Sequence, residues 1–200
     1  MREREKWDRR YQDSREGFYG RGPSPFLVRS LPLLPPPGRC LDLGGGQGRN
    51  AVFLAGQGWD VTMVDVALAG VARAHAWARA ERVRLSGVVA DLDEGALAIS
   101  GSAFDLVLAV NYHEHAIVEA AQTWLRPGGA LLVEGFAREQ LGLGSGGPQD
   151  PELLWRPNEL LALARGMRVV WYEDRLTDED DNPRHRGKKW VVRLIARRTA

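Results

Sequence analysis

Cysteine is almost missing from this chain: Cys40 is the only one in 200 residues. That excludes an internal disulfide framework and suits a reducing compartment. Cys40 sits in the run Cys40-Leu41-Asp42-Leu43, where a small buried hydrophobe is the expected role. No apolar stretch is long enough to span a bilayer. The opening Met-Arg-Glu-Arg-Glu-Lys lacks the apolar centre of a signal peptide. Charge excess is missing too, since 27 Lys+Arg against 26 Asp+Glu leave a net +1. Such a balance gives no electrostatic footprint for a membrane surface and argues against nucleic acid as partner. Repeats and low-complexity segments are absent. The expectation is a cytoplasmic protein, monomer or homodimer, with no membrane partner. Its length, with 44% hydrophobic and 26% charged residues, fits one domain over residues 1–200.

What the chain has is glycine in one place. From Arg39 to Ala55 the period changes midway: Cys40, Leu41 and Leu43 read as a buried strand, Ala51, Val52, Leu54 and Ala55 as a helix face. Between them lie Gly44, Gly45, Gly46 and Gly48. A strand ending in glycines and opening a helix brings bare backbone close to a ligand. Gly46-Gln47-Gly48-Arg49-Asn50-Ala51 fits a dinucleotide fingerprint of the G-x-G-x-x-A kind. The register fits better as Asp42-x-Gly44-x-Gly46-x-Gly48, with an acid inside the strand end.

The rest of the chain is arranged around that stretch. Residues 1–34 read as a helical appendage: a charged helix with Trp7 and Tyr11 on one face, glycine and proline breaks, then a short helix Pro25–Leu34. It is either an amphipathic helix packed on the domain or a lid over the pocket. Residues 39–136 read as the cofactor-binding core. Helix Arg49–Gly56, strand Trp59–Asp65, helix Ala67–Arg82 and strand Val83–Ala90 follow the glycines. A weak helix Asp93–Ile99, strand Phe104–Val110, helix Glu114–Leu125 and strand Ala130–Phe136 complete it. Strands alternating with helices predict parallel pairing, an α/β doubly wound three-layer sandwich. Residues 137–200 read as a loop, a helix Pro157–Arg165, and a hairpin of Met167–Arg175 with Lys188–Arg197.

In such a sheet ligands sit beyond the carboxyl ends of the strands. Asp65 and Val66 follow the second strand, where an acid can accept ribose hydroxyls or cap the next helix. Asp91, Leu92 and Asp93 follow the third, placed for an adenine edge. Asn111-Tyr112-His113-Glu114-His115 follows the fourth and Glu134-Gly135-Phe136 the fifth.

These segments together resemble the class I S-adenosylmethionine-dependent methyltransferases. Leu41–Gly48, Val64-Asp65, Ala90-Asp91, Phe104–Val107 and Leu125-Arg126-Pro127-Gly128-Gly129-Ala130 look like the successive family signatures. Gly48–Ala55 and His185-Arg186 before the last strand are similar to the tellurite-resistance and thiopurine methyltransferase-like branch. The resemblance implies a seven-stranded, mostly parallel sheet with its last strand antiparallel, and S-adenosyl-L-methionine as cofactor. It implies that Asp42, Gly44, Gly46 and Gly48 hold the methionine end, whose ammonium wants an acid nearby. Asp65 with Val66 would take the ribose, Asp91 and Leu92 would flank adenine, and Asn111 would sit near the sulfonium. Arg49 reaches the carboxylate or caps the helix, Asn50 caps it, and Tyr11 belongs to the covering segment.

The implied reaction is methyl transfer to a small-molecule acceptor. A soft acceptor, a thiol or a chalcogen oxyanion such as tellurite or selenite, needs no strong base. An oxygen or nitrogen acceptor needs its proton removed, for which His113, Glu114, His115 and His185 are candidates. His185-Arg186 either orients an anionic acceptor or forms a solvated hairpin tip. Gly142–Gly147 is either a flap or a surface connection. His113-x-His115 has the look of a metal pair, but no third ligand stands at a matching spacing and no metal is assigned. Other readings are an RNA or protein acceptor, a NAD-dependent oxidoreductase, and a non-catalytic S-adenosylmethionine-binding protein.

Overall fold

The computed structural model describes residues 2–13, 18–92, 99, 101–179 and 184–199. Among the described residues seven strands form one sheet: β1 (Arg39–Leu43), β2 (Asp60–Asp65), β3 (Ser86–Val89), β4 (Phe104–Val110), β5 (Leu125–Phe136), β6 (Met167–Thr177) and β7 (Lys189–Arg198). Their order is β3-β2-β1-β4-β5-β7-β6. Neighbours from β3 to β5 pair in parallel, while β7 is antiparallel to both β5 and β6. The hairpin expected from the tail is therefore present, and its second strand inserts between β5 and β6. A dinucleotide-binding sheet of order 3-2-1-4-5-6 has no such reversed strand.

The strand period of two divides the core between the faces. Cys40, Met63, Leu106, Leu108 and Leu132 point towards α2 (Pro25–Ser30), α3 (Arg49–Gly56) and α4 (Leu68–Ala80). Leu41, Leu43, Val107, Leu131 and Leu194 point towards α5 (His115–Trp124) and α6 (Glu159–Leu163). Cys40 is free and fully buried, as expected of a small hydrophobe.

Two local features differ from the sequence reading. The expected turn before the fifth strand lies inside it: Leu125 pairs with Phe104 and Ala130 with Leu106, so residues 126–129 bulge out. A Cβ on Gly129 would sit 2.9 Å from the Arg126 carbonyl oxygen, which is why the bulge ends on glycine. The weak helix expected over Asp93–Ile99 lies, except for Ile99, outside the described residues.

Helix α1 (Arg2–Asp13) docks by supplying a cap to another helix. Ala67, at the N-cap of α4, has no side chain to satisfy the first N–H groups. Asp8 Oδ1 accepts from the Ala69 N–H at 2.8 Å, and Asp65 Oδ1 from the Ala67 N–H at 2.8 Å. On the same face of the sheet as α2, towards its β7 end, Arg193 of β7 is fully buried among carboxylates. Its Nε lies 2.7 Å from Glu134, and its Nη1 lies 2.6 Å from Glu173 and 3.0 Å from Glu179. Glu134 also accepts from the Ser24 hydroxyl, whose Oγ accepts in turn from the Leu27 N–H at the start of α2.

Candidate active site

The carboxyl ends of β1, β2 and β4 open on a cavity of about 640 Å³. Its floor is the turn after β1. Gly44, Gly46 and Gly48 have φ of +62°, +57° and +84°, the left-handed region that favours glycine. Gly48 is the N-cap of α3, and a Cβ there would lie 2.6 Å from the Ala74 Cβ, so glycine lets α3 and α4 close together. A Cβ on Gly46 would lie 2.9 Å from the Tyr11 hydroxyl, which marks how closely α1 covers the turn.

Asp65 ties the floor together. Its Oδ2 accepts from the Gly46 N–H at 2.7 Å, while Oδ1 accepts from Ala67. Burial raises its pKa, and the two backbone N–H groups oppose that rise. An ionised carboxylate has about four acceptor sites, so about two remain for a ligand. Burial, followed by the Asp65 charge, pushes the Tyr11 phenol well above its usual range, so it stays protonated at neutral pH.

Asp42 is the main departure in position. It does not line the cavity; it lies beneath the glycines, 1% exposed, because it shares the strand face of Cys40. Among the described residues its Oδ2 has no hydrogen-bond partner. A Cβ on Gly45 would stand 3.1 Å from that oxygen. Burial first, then Asp65, pushes the Asp42 carboxyl up to about 7, with Arg49 opposing.

Of the other sequence candidates, Tyr11, Gly44, Gly46, Arg49, Asp65, Val66, Asp91, Leu92, Asn111, His113 and His185 all border the cavity. Gly48 acts from behind it, and Asp93 lies outside the described residues. Asn111 has φ +56° and donates its N–H to the Glu134 carbonyl at 2.8 Å, a left-handed bend that asparagine tolerates. Asn50 does not cap α3 through its own helix; its Oδ1 accepts from the Ser24 N–H at 2.9 Å. Arg186 is a correction, because it is exposed and outside the cavity wall. Arg184 stands there instead, with its guanidinium 4.0 Å from the Phe18 ring centroid and its Nε donating to the Phe18 carbonyl at 3.2 Å. Choosing between two arginines that flank one histidine needs the hairpin's local twist, which sequence spacing does not carry.

Sequence reasoning also missed Phe18 and Gln47. Gln47 Oε1 accepts from the Phe18 N–H, which fastens the aromatic segment to the glycine turn. Trp7 stacks on Tyr11 at 5.5 Å, Phe18 meets both edge-on, and Tyr19 lies 5.6 Å from His185. Trp7, Tyr11, Phe18 and Tyr19 all line the cavity, so the N-terminal segment forms one of its walls rather than only packing on the domain. His185 is 6% exposed, held edge-on to Phe136 at 4.8 Å. The Gly142–Gly147 segment also reaches the cavity, through Gly146 and Gly147.

At the opposite end His113, His115 and Trp155 form a cluster of tilted and edge-on rings, with His113 4.2 Å and His115 5.0 Å from the Trp155 ring. Glu159 of α6 joins them, its Oε1 2.7 Å from His115 Nε2. Burial, then His115, lowers the His113 pKa.

Residues 40–129 match the methyltransferase domain family. No curated protein matches the chain by sequence. Among solved structures, TehB from Haemophilus influenzae superposes with a TM-score of 0.71 at 20% identity, over 87% of this chain and 62% of that one. This chain thus spans less than two thirds of the TehB chain. A structure described for conversion of a disulfide bond into a thioacetal group during echinomycin biosynthesis gives 0.70 at 21%, over 98% and 92%. The 1,6-didemethyltoxoflavin-N1-methyltransferase of Burkholderia thailandensis, holding 1,6-didemethyltoxoflavin and S-adenosylhomocysteine, gives 0.58 at 22%, over 82% and 72%. At such identities the superpositions establish the fold, and the domain match covers its central part. The strand order, the glycine turn after β1 and these matches agree: residues 40–129 match the methyltransferase domain family, and the chain has the fold of the methyltransferase structures it superposes on.

Proposed function

We propose that this chain transfers the methyl group of S-adenosylmethionine to a small anionic or soft acceptor, a thiol or a chalcogen oxyanion. The observation that carries the reading is the walled cavity. It runs from Asp65, Val66, Asp91 and Leu92 past Asn111 to a second end bounded by His113, Phe136, Trp155 and His185. The first end supplies acids and backbone for a nucleoside and an amino acid; the second has room and aromatic walls for a small acceptor. Methyl transfer from a sulfonium is an in-line displacement, and its thioether leaving group needs no proton. Holding the two reactants in line accounts for much of the rate, through effective molarities up to about 10⁵–10⁸ M.

Arg10, Arg49 and Arg184 stand at the wall with aromatic rings beneath them, the guanidinium carbons 4.8 Å from Trp7, 5.9 Å from Tyr19 and 4.0 Å from Phe18. Their charges favour an anion at the acceptor end. The test is S-adenosylhomocysteine release, measured chromatographically with small thiols, tellurite and selenite, and with phenols and amines as comparison. Turnover with a thiol or oxyanion is expected; turnover only with RNA or protein would overturn the acceptor assignment.

Asp42 gives this reading a pH signature. A cationic ammonium above the glycine turn favours the ionised carboxyl, so binding releases a proton wherever the free protein holds one, below about 7. Affinity for S-adenosylmethionine should therefore rise with pH, by up to about tenfold per unit, and level off above about 7. Stability of the free protein runs the other way. The raised carboxyl keeps its proton in the fold while the unfolded chain loses one near 3.9, so stability falls from about pH 4 to about 7. Asp42→Asn should flatten both curves in calorimetric and thermal titrations. Its difference from wild type isolates this proton from titration of the ligand's own amine.

A further inference from the structure

We infer that His113, His115 and Glu159 form a divalent-metal site of the zinc type at the acceptor end of the cavity. One ligand atom from each of the three lies within 4.8 Å of the others. In a tetrahedral zinc site with bonds of about 2.0–2.1 Å the ligands stand about 3.3 Å apart, so side-chain rotations of about an ångström close the set. Two imidazoles and one carboxylate are a zinc ligand set that leaves one position open.

The local hydrogen bonding supports a guest. Nε2 of both histidines is buried, and among the described residues neither makes a hydrogen bond. His115 Nε2 is only 2.7 Å from Glu159 Oε1, yet the contact lacks hydrogen-bond geometry. A plain ion pair would align donor with acceptor, and it leaves His113 unexplained. Trp155 packs on both rings and fixes their orientation. Its own Nε1 is a further buried donor with no hydrogen-bond partner among the described residues, lying beside Gly135 in the cavity wall. The third ligand escapes sequence spacing because α6 brings it from another part of the chain.

The role of the ion rests on the methyltransferase reading. His113 borders the cavity, two residues after Asn111, so an acceptor there is within reach of the open position. A thiol taking that position gives its proton to solvent and is held as thiolate. The thiolate lone pair then forms the new S–CH₃ bond, while the sulfonium C–S bond breaks and its electrons stay on the departing thioether. No oxidant or reductant is needed.

The experiment uses the full chain without a histidine tag, stripped with chelator and titrated with Co²⁺ and then Zn²⁺. One equivalent of Co²⁺ should develop the intense visible absorption of a tetrahedral site, and Zn²⁺ should abolish it. Glu159→Gln and His113→Ala should each weaken binding at least about 100-fold, while S-adenosylmethionine affinity and the melting temperature stay close to wild type. Adding a small thiol to the Co²⁺ form should bring a sulfur-to-metal charge-transfer band. An octahedral spectrum, or tetrahedral binding indifferent to both substitutions, overturns the site; absence of the thiol band overturns the role. Because the metal is read without cofactor or turnover, loss of this inference and loss of the methyltransferase reading are separate results.

Discussion

Asp65→Ala should lower the affinity for S-adenosylmethionine about 30- to 1,000-fold. The carboxylate accepts from the Gly46 and Ala67 N–H groups and still has acceptor capacity facing the cavity. Removing it releases the glycine turn and the start of α4, and deletes the acid proposed to take the ribose. Hydrogen bonds to a charged group are worth about 1.5–3 kcal/mol each. Loss of one to two of them in the complex is about 2–4 kcal/mol, which gives that range of dissociation constants. Asp65→Asn keeps an oxygen acceptor and should fall between wild type and alanine. Calorimetry measures both. A dissociation constant within threefold of wild type for Asp65→Ala would remove Asp65 from the cofactor site.

Arg193→Leu should cost about 3–5 kcal/mol of stability, the range for stripping one partner from a buried ion pair. For a chain of 200 residues that is a fall in Tm of roughly 6–20 °C. The arginine has no exposed surface and pairs with Glu134, Glu173 and Glu179, of which Glu134 is itself 3% exposed. Without it Glu134 keeps the Ser24 hydroxyl but no countercharge among the described residues. Arg29 and Arg175 still reach Glu173 and Glu179 from the surface, so the loss concentrates on Glu134. The double substitution Arg193→Met with Glu134→Gln should recover much of the deficit, because an uncharged pair leaves no buried charge unpaired. Thermal melts of the three proteins decide it. A single variant as stable as wild type would show that the cluster is balanced by its own desolvation.

The same cluster should add an acid limb to the stability profile. Burial raises the pKa of Glu173, but bonds from Arg193 and Arg175 outweigh it and hold the carboxyl below its usual range. A carboxyl lowered in the fold contributes stability above its unfolded value, near 4.3, and loses it as pH falls through the folded value. Asp42, raised rather than lowered, acts with the opposite sign at higher pH.

Most of the architecture was legible because one residue type per position is enough to specify it. Period-two apolar runs at Leu41–Leu43 and Leu106–Leu108, with helical periods between, dictate a doubly wound sheet, and the glycines mark where ligand meets backbone. The cavity-bordering residues after β2, β3 and β4 follow from topology, since that is where strands of one direction end. What stayed hidden depended on side-chain direction or on distant chain. Asp42 belongs to the glycine turn in sequence, but strand alternation turns its carboxyl beneath the turn. Arg184 rather than Arg186 faces inward because the hairpin end sets the direction. Glu159 meets His115 only through the packing of α6 on α5. The Arg193 cluster joins residues of β5, β6 and β7 with a glutamate beyond β6, a register that only the formed sheet defines.

The central claim is that the glycine turn serves a sulfonium nucleoside rather than a dinucleotide. Calorimetric titration of the intact chain with S-adenosylmethionine, and separately with NADH, tests it most directly. One equivalent of S-adenosylmethionine bound, with no heat from NADH, is the expected result. Binding of NADH with no response to S-adenosylmethionine would contradict the account at Asp42 and Asp65 together.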